Sequence, residues 1–211
     1  GSVARGRDVT MLKQAEQALR ESEECFRGLM DQSPVSIQIL DINGMTVNAN
    51  IAWEKLWGVS WEKFIKLDYN ILEDKQVQKL GLIPYLRRAY SGEAVFVPAK
   101  EYDVQETSGV GNRRWVQSNI FPIKNESGKI INIVIEQEDI TERKQAEETL
   151  HSEKQFIDKA IDSLPGIFYL FPQDGKFLRW NRNFEIVSGY TGEEIGRMYP
   201  RDFFPVEEYP L

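Results

Sequence analysis

The apolar and polar positions between residues 35 and 139 alternate in short runs that predict two strands, several helices and three further strands. A hairpin comes first, because the Asn-Gly pair at 43–44 supplies the positive φ angles that a tight turn needs between two apolar runs. Asn50 is then expected to cap a helix that ends at Gly58, and a longer helix is predicted from about residue 78 to residue 90. The closing strands are predicted at 94–104, 113–123 and 129–139.

Sequential pairing of these strands gives a five-stranded antiparallel sheet with the helices packed over one face, which is an α+β fold. The last predicted strand carries isoleucines at alternate positions, Ile131, Ile133 and Ile135, and this row is expected to face the helices. The same alternation turns Gln137 inward. Its side-chain amide then needs a hydrogen-bond partner in the core.

One stretch of the chain is written twice. DVTMLKQAEQAL at residues 8–19 returns as DITERKQAEETL at residues 139–150, and the similarity continues into the segments that follow each copy. This pattern predicts one domain type present twice, with the second copy cut short. The predicted boundaries are a linker helix at 1–22 that leaves a preceding domain, a complete domain at 23–141, a second linker helix at 142–155, and the N-terminal half of another domain at 156–211.

Charge and composition narrow the classes of function. A formal net charge of −7 gives no broad basic surface for nucleic acid. No apolar run approaches the roughly 20 residues that cross a bilayer, so we expect no membrane contact from these residues and a cytoplasmic location, with a membrane anchor left open for a longer protein. Cys25 and His151 are the only cysteine and histidine, which excludes an internal disulfide and a multi-cysteine metal site. No acid–base or nucleophile set can be assembled, so the segment itself is not expected to be an enzyme.

Two segments together resemble the PAS (Per-Arnt-Sim) sensor domains: VNANIAWEKLWGVS at 47–60 and NESGKIINIVIEQEDITERKQAE at 125–147. Domains of this family end in an Asp-Ile-Thr motif that leads into a coiled-coil helix, and the strand–helix–strand order matches. The resemblance implies a sensory input module, most often of a two-component sensor histidine kinase, with a diguanylate cyclase as the alternative. His151 is not followed by the pattern of a kinase phosphoacceptor, so the transmitter is expected downstream in the full-length chain.

In the PAS fold, small molecules bind between the helices and the inner face of the sheet, and aromatic or polar contacts are expected among the wall residues. The candidate lining residues are Ile37, Ile39, Trp53, Trp57, Tyr69, Tyr85, Leu86, Arg88, Val116, Ser118, Ile120, Ile133, Ile135 and Gln137. Two alternatives stay open. These residues simply fill the core, or the domain is a ligand-free dimerisation module that uses the outer sheet face with Trp115 and Phe121.

Known PAS cofactors can be weighed against the residues. The light-oxygen-voltage branch of the family binds flavin covalently through the cysteine of an Asn-Cys-Arg motif, which this sequence lacks, so a covalent flavin is excluded. Gln137 matches a flavin-contacting glutamine of that branch, but Val116 stands where the branch has an asparagine, which argues against non-covalent flavin. Haem needs an axial ligand on the helix predicted at 78–90, which has no histidine. An unidentified small organic molecule remains the expected ligand.

Both linkers carry the alternating spacings of three and four residues that are typical of a coiled-coil seam. The rows are Leu12, Ala15, Leu19, Ser22, Phe26 and Leu29 in the first linker, and Ala146, Leu150, Glu153, Ile157, Ala160 and Leu164 in the second. We therefore expect a parallel homodimer, with an amphipathic helix that lies on the sheet of its own domain as the alternative. Asp139, Thr141 and Arg143 lie where the last strand becomes the second linker, and they are expected to transfer the signal, with Thr141 capping the helix and Asp139 anchoring the boundary.

Overall fold

The computed structural model describes residues 2–173 and 175–203, with side chains from residue 11 onward. The chain divides into two compact units, one up to Lys144 and one from Gln145 onward. Residue 1 of the first predicted linker and residues 204–211 of the predicted second domain lie outside the described residues. No helix in the described part is both long and apolar enough to span a membrane.

The first unit contains the five-stranded antiparallel sheet that the sequence predicts. Its strands are β1 (Ser36–Leu40), β2 (Thr46–Ala49), β3 (Val95–Asp103), β4 (Arg113–Lys124) and β5 (Ile130–Asp139). They lie in the order β2-β1-β5-β4-β3, and every neighbouring pair is antiparallel. The last strand in sequence therefore occupies the centre of the sheet, between the hairpin and β4.

Helices frame this sheet. They are α1 (Ser2–Gln32), α2 (Ile51–Trp57), α3 (Trp61–Phe64), α4 (Lys75–Lys79), α5 (Ile83–Tyr90) and α6 (Val104–Ser108). Asn50 caps α2 and Gly58 ends it in the left-handed region, as the sequence predicts. The single helix predicted over 78–90 is wrong. Gly81 has φ +71° between α4 and α5, and Pro84, which has no backbone donor, lies in the first turn of α5.

Each face of the sheet carries a buried cluster. On the helical face, the main cluster includes Leu40, Leu86, Ile120 and Ile133. On the other face, Met30 at the end of α1 packs against a smaller cluster of strand residues. A sheet covered on both sides cannot show a clean alternation of apolar and polar residues.

A β-bulge corrects the predicted isoleucine row. Ile123 pairs with Asn132, but the next pair joins Lys124 to Ile130, so Ile131 has no partner and the alternation of faces reverses there. Ile133 and Ile135 are buried on the helical side as predicted, while Ile131 is 44% exposed. Ile130 takes its place against the core.

The second unit begins within α7 (Thr141–Asp162) and repeats the opening of the first. Its further elements are β6 (Tyr169–Leu170), β7 (Arg179–Trp180), α8 (Arg182–Ser188) and α9 (Gly192–Ile195). Phe177, Phe184 and Ile195 form its small core. Thr191 and Glu194 form the capping box that begins α9.

Candidate functional site

A cavity lies in the first unit between the helices and the inner face of the sheet. Its volume, measured for the centres of water-sized atoms, is about 70 Å³. This is enough to hold water but much smaller than the several hundred Å³ of typical ligand pockets. Apolar and aromatic side chains form most of its wall. The lining residues are Gln38, Trp53, Trp57, Phe64, Tyr69, Ile71, Val77, Leu82, Val97, Lys100, Tyr102, Val104, Thr107, Val116, Ser118 and Gln137.

Several of the predicted lining residues meet in this cavity and others do not. Those that line it are Trp53, Trp57, Tyr69, Val116, Ser118 and Gln137. Those that belong to the adjoining hydrophobic core instead are Leu86, Ile120, Ile133 and Ile135, with Tyr85 packed against them. Arg88 points away from the cavity, because it is exposed and its Nε lies 2.8 Å from Oε2 of Glu93.

The predicted orientation of β1 is wrong. Ile37 and Ile39 pack on the opposite face of the sheet with Met30 and Val134, while Gln38 faces the cavity. The usual rule that apolar residues mark the helical face fails here, because α1 buries the other face as well. Gln38 tolerates burial since its Nε2 donates to Oγ1 of Thr46 at 2.8 Å.

Two tryptophans of α2 contribute N–H donors near the cavity. Trp57 Nε1 donates to Oε1 of Gln137 at 3.1 Å. Trp53 is only 2% exposed, and its Nε1 has no hydrogen-bond partner among the described residues. The Trp53 ring is held by an edge contact with Phe64, with 4.7 Å between the ring centroids. A buried N–H without a partner is costly. Because the Trp53 Nε1 atom is fully buried, a guest molecule reaches it only if the side chains around it move.

A chain of hydroxyl groups ends at a buried carboxylate beside the cavity. Tyr102 Oη donates to Oδ2 of Asp74 at 2.6 Å, and Thr107 Oγ1 donates to the same oxygen at 3.0 Å. Burial tends to raise the pKa of Asp74, but hydrogen bonds from Tyr102 and from the Val77 N–H outweigh it and hold that pKa below 3.8. Burial also raises the pKa of Tyr102 and of Tyr69. Because Tyr102 uses its proton on Asp74, its contact with Tyr69 at 3.2 Å has Tyr69 as the donor.

Lys100 is the one charged side chain among the described residues that line the cavity. The pairing of β3 with β4 shifts between Val97 and Lys100, so the strand bulges where Lys100 enters the wall. Lys100 is half-buried, and the described residues offer it no ion pair. Its ammonium group is therefore free to meet an acceptor from outside the chain.

Gln137 joins the cavity to the end of β5. Its Oε1 accepts from Trp57 Nε1 and from Ser36 Oγ, the latter at 3.3 Å. The same residue also borders a surface cleft that contains Arg114 and Asp139. Ser118 and Gln137 are paired across β4 and β5, and Val116 and Asp139 are paired two positions further along.

The Asp-Ile-Thr motif couples β4 and β5 to the start of α7. Asp139 Oδ1 accepts from the backbone N of Thr141 at 2.9 Å, and Asp139 Oδ2 lies 3.4 Å from Nε of Arg114. Thr141 does not cap α7 with its side chain, which instead accepts from the backbone N of Trp115 at 3.0 Å. Arg143 makes a long exposed contact of 3.4 Å to Gln117. The helix start is thereby tied to two strands.

The predicted linker rows are solvent-exposed. Leu12 and Leu19 of α1 are both 61% exposed, and Leu150 of α7 is 69% exposed. Large apolar side chains in this state are available to a partner.

Sequence reasoning missed the wall formed by Lys100, Tyr102, Val104 and Thr107. The apolar pattern predicts strand and turn where α6 lies, although Asp103 and Glu106 have the spacing of a capping box. Asp103 does cap α6, because its side chain accepts from the backbone N of Gln105. The spacing of Asp103 and Glu106 is therefore the sequence signal that predicts α6.

The family described as PAS fold matches residues 30–145, which is more than half of the chain. The chain belongs to the PAS family. This PAS chain is similar to the oxygen sensor protein DosP of Escherichia coli, with 23% identity over 185 residues that cover 88% of this chain and 22% of that protein. It also resembles the bacterioopsin transcriptional activator of Halobacterium salinarum, with 23% identity over 141 residues, 65% of this chain and 20% of that protein. The chain spans about a fifth of the length of both relatives.

Solved structures with similar folds include the PAS domain of an HTR-like protein from Haloarcula marismortui, with 19% identity, TM-score 0.45, and coverage of 61% of this PAS chain and 99% of that one. The PAS domain of Bordetella pertussis BvgS has 24% identity and TM-score 0.43, and covers 65% and 98% of the two chains. A domain of a sensory box sensor histidine kinase/response regulator from Geobacter sulfurreducens has 17% identity and TM-score 0.43, and covers 57% and 96%.

Proposed function

We propose that the first unit is a PAS input module that binds a small molecule in its cavity and passes the occupied state through β5 to α7. The unpartnered Nε1 of Trp53 carries this proposal, because a buried donor beside a cavity is stabilised when a ligand supplies the acceptor. Native mass spectrometry of the purified chain tests it. A retained small molecule, lost in a Trp53→Phe variant, is the expected result, and a chain that is free of ligand under every growth condition contradicts it.

The proposed relay runs through Gln137 to the Asp-Ile-Thr motif. A ligand that competes for the Trp57 N–H or for the Gln137 amide would change the hydrogen bonds that fix β5. Asp139 and Thr141 would carry the resulting displacement into α7, since their side chains hold the first turn of the helix to β4. Binding shifts an equilibrium only if ligand-free and ligand-bound arrangements differ in these contacts.

We do not extend oxygen sensing, named for the relative DosP, to this chain through haem. No histidine, cysteine or methionine is among the described lining residues, and a space of about 70 Å³ does not admit a haem or a flavin ring system. The residues of this cavity do not fit either cofactor. A molecule of a few non-hydrogen atoms fits better.

We propose the rest of the signalling path from the linkers. The exposed apolar rows of α1 and α7 fit a parallel homodimer in the cytoplasm, with a histidine kinase transmitter downstream in the same full-length protein and a diguanylate cyclase as the alternative output. Analytical ultracentrifugation of the purified chain tests the dimer. A monomer at concentrations of about 100 μM contradicts it.

A ligand-free interaction module is the second candidate, and the small volume of the cavity favours it. In that case, the outer sheet face would serve dimerisation through Trp115 and Phe121. Phe121 is partly covered, because it packs against the cluster of Met30, Ile39 and Val134. The native mass measurement separates the two candidates, since only the sensor retains a small molecule.

A further inference from the structure

We propose that the cavity of the first unit selects a short-chain monocarboxylate, with Lys100 meeting the carboxylate and the apolar wall receiving the short tail. This inference rests on the proposed sensing function and names the class of ligand. It depends on three features of the cavity: its single charge, its surplus of donors and its size.

The charge on the wall is a single positive one. Lys100 lines the cavity and has no ion-pair partner among the described residues, and no described acidic side chain lines the cavity. The nearby carboxylate of Asp74 is already occupied, because Oδ1 accepts from the backbone N–H groups of Gln76 and Val77, and Oδ2 accepts from two hydroxyls. A ligand with one negative charge would therefore pair with the positive charge of Lys100.

Two of the polar side chains in the cavity wall carry donors that need an acceptor. Trp53 Nε1 has no acceptor, and the Lys100 ammonium has three protons to give. Ser118 adds a buried hydroxyl on the wall. An ammonium or amine ligand would place its charge against Lys100 and leave the Trp53 donor unsatisfied. A carboxylate offers two acceptor oxygens, which suits this set of donors.

The size of the cavity and the apolar part of its wall determine which tail a ligand can have. A cavity of about 70 Å³ is about half the size of one that holds benzene, roughly 150 Å³, so it limits a guest to a few non-hydrogen atoms. Val77, Val97, Val104 and Val116 line much of what is left. Propionate has one charged end, a short apolar tail and five non-hydrogen atoms, so it matches both properties.

The test is a titration of the purified chain with propionate, compared with propionamide and n-propylamine, which keep the three-carbon skeleton and change the charge. Calorimetry gives the affinity, and the indole ¹H–¹⁵N resonance of Trp53, assigned with a Trp53→Phe variant, reports the site. We expect propionate to bind about tenfold more tightly than propionamide, or better, and to shift the Trp53 resonance, with no binding of the amine.

Lys100→Met keeps most of the side-chain volume and removes the charge, so it should weaken propionate binding about tenfold or more. Lys129→Met is the matched control, because Lys129 is exposed and does not line the cavity. Ser118→Ala provides a second wall variant should Lys100→Met fail to fold, with a smaller loss expected.

Propionate binding that is unchanged in Lys100→Met overturns the assignment of Lys100. Binding of propionamide but not of propionate contradicts the selection of a carboxylate, and the proposed sensing function is then retained. A Trp53 resonance that none of the three compounds shifts, in a chain that also retains no small molecule, contradicts the sensing function and this inference together.

Discussion

The two units of the chain use the same local motif with different results. In the first unit, Asn50 Oδ1 accepts from the backbone N of Ile37 and of Trp53, and its Nδ2 donates to the carbonyls of Met30 and Val35. In the second unit, Asn181 repeats this role: its Oδ1 accepts from two backbone N–H groups, and its Nδ2 donates to a carbonyl. Both asparagines are almost completely buried.

The surroundings of the two motifs differ. The hairpin of the first unit joins β5 and, through it, β4 and β3, whereas the described sheet of the second unit has two strands of two residues each. Leu178, Ile186 and Val187 of the second unit are all 67–68% exposed. A hairpin, an asparagine cap and a short helix thus form locally, but a cavity requires the three later strands as its second wall.

Breaking the asparagine motif should give the largest effect. Asn50→Ala is expected to lower the free energy of unfolding of the first unit by about 3 kcal/mol, because it removes a helix cap and leaves buried backbone groups unpaired. Amide resonances of β4 and β5 through a urea titration measure that unit by itself. Asn181→Ala is the matched change in the second unit and should leave those resonances unaffected. Equal losses from both variants would show that the two motifs are not independent.

The two linkers provide the next comparison. Leu19→Asp in α1 and Leu150→Asp in α7 place a charge in an exposed apolar row and should each raise the dissociation constant of the dimer about tenfold, which is about 1.4 kcal/mol. Sedimentation velocity over a concentration series measures this. Gln17→Asp, on the same helix as Leu19 but outside the row, should have little effect. A dimer that resists both leucine variants would place the interface elsewhere.

Breaking the Asp-Ile-Thr motif of the first unit should have a moderate effect on local stability. Asp139→Ala removes the bond to the Thr141 N–H and should lower local stability by about 1 kcal/mol, with faster amide exchange confined to the first turn of α7. Glu138→Ala, at the adjacent exposed position, is the control. In a full-length protein, the Asp139 variant should change signal output and leave dimerisation intact, and unchanged output would remove the motif from the relay.

The smallest expected effect is a pH dependence that separates the units. The folded-state pKa of Asp74 lies below 3.8, so its contribution to stability is present above that value and is lost as the pH falls through the lower folded pKa. Asp74→Asn should therefore reduce the loss of stability that the first unit shows as the pH falls below about 4. Thermal unfolding followed at β5 resonances measures it. Hydrogen bonds from Thr191 also lower the pKa of Glu194, but this side chain is exposed, and Glu194→Gln should leave the first unit unchanged.

Much of the fold was predictable because the signals are local. The Asn-Gly turn, the cap at Asn50 and the stop at Gly58 each depend on a few neighbouring residues. The structure has the cap and the stop, and in the turn only Gly44 has the predicted positive φ. The candidate site was harder to predict. Trp53, Trp57 and Gln137 were placed on the wall from the family pattern, whereas Lys100 and Thr107 depend on a bulge and on the short helix α6.

The sequence by itself determined the order of the strands, the two ends of α2 and the doubled motif, because backbone preferences and hydrogen bonds between near neighbours act along the chain. The tertiary structure decided which way the side chains face. Bulges reversed the faces at Ile131 and brought Lys100 to the wall, and α1 buried Ile37 and Ile39 on the far side of the sheet. Those choices depend on the packing of elements distant in sequence, and a single mispaired residue moves every later side chain to the other face.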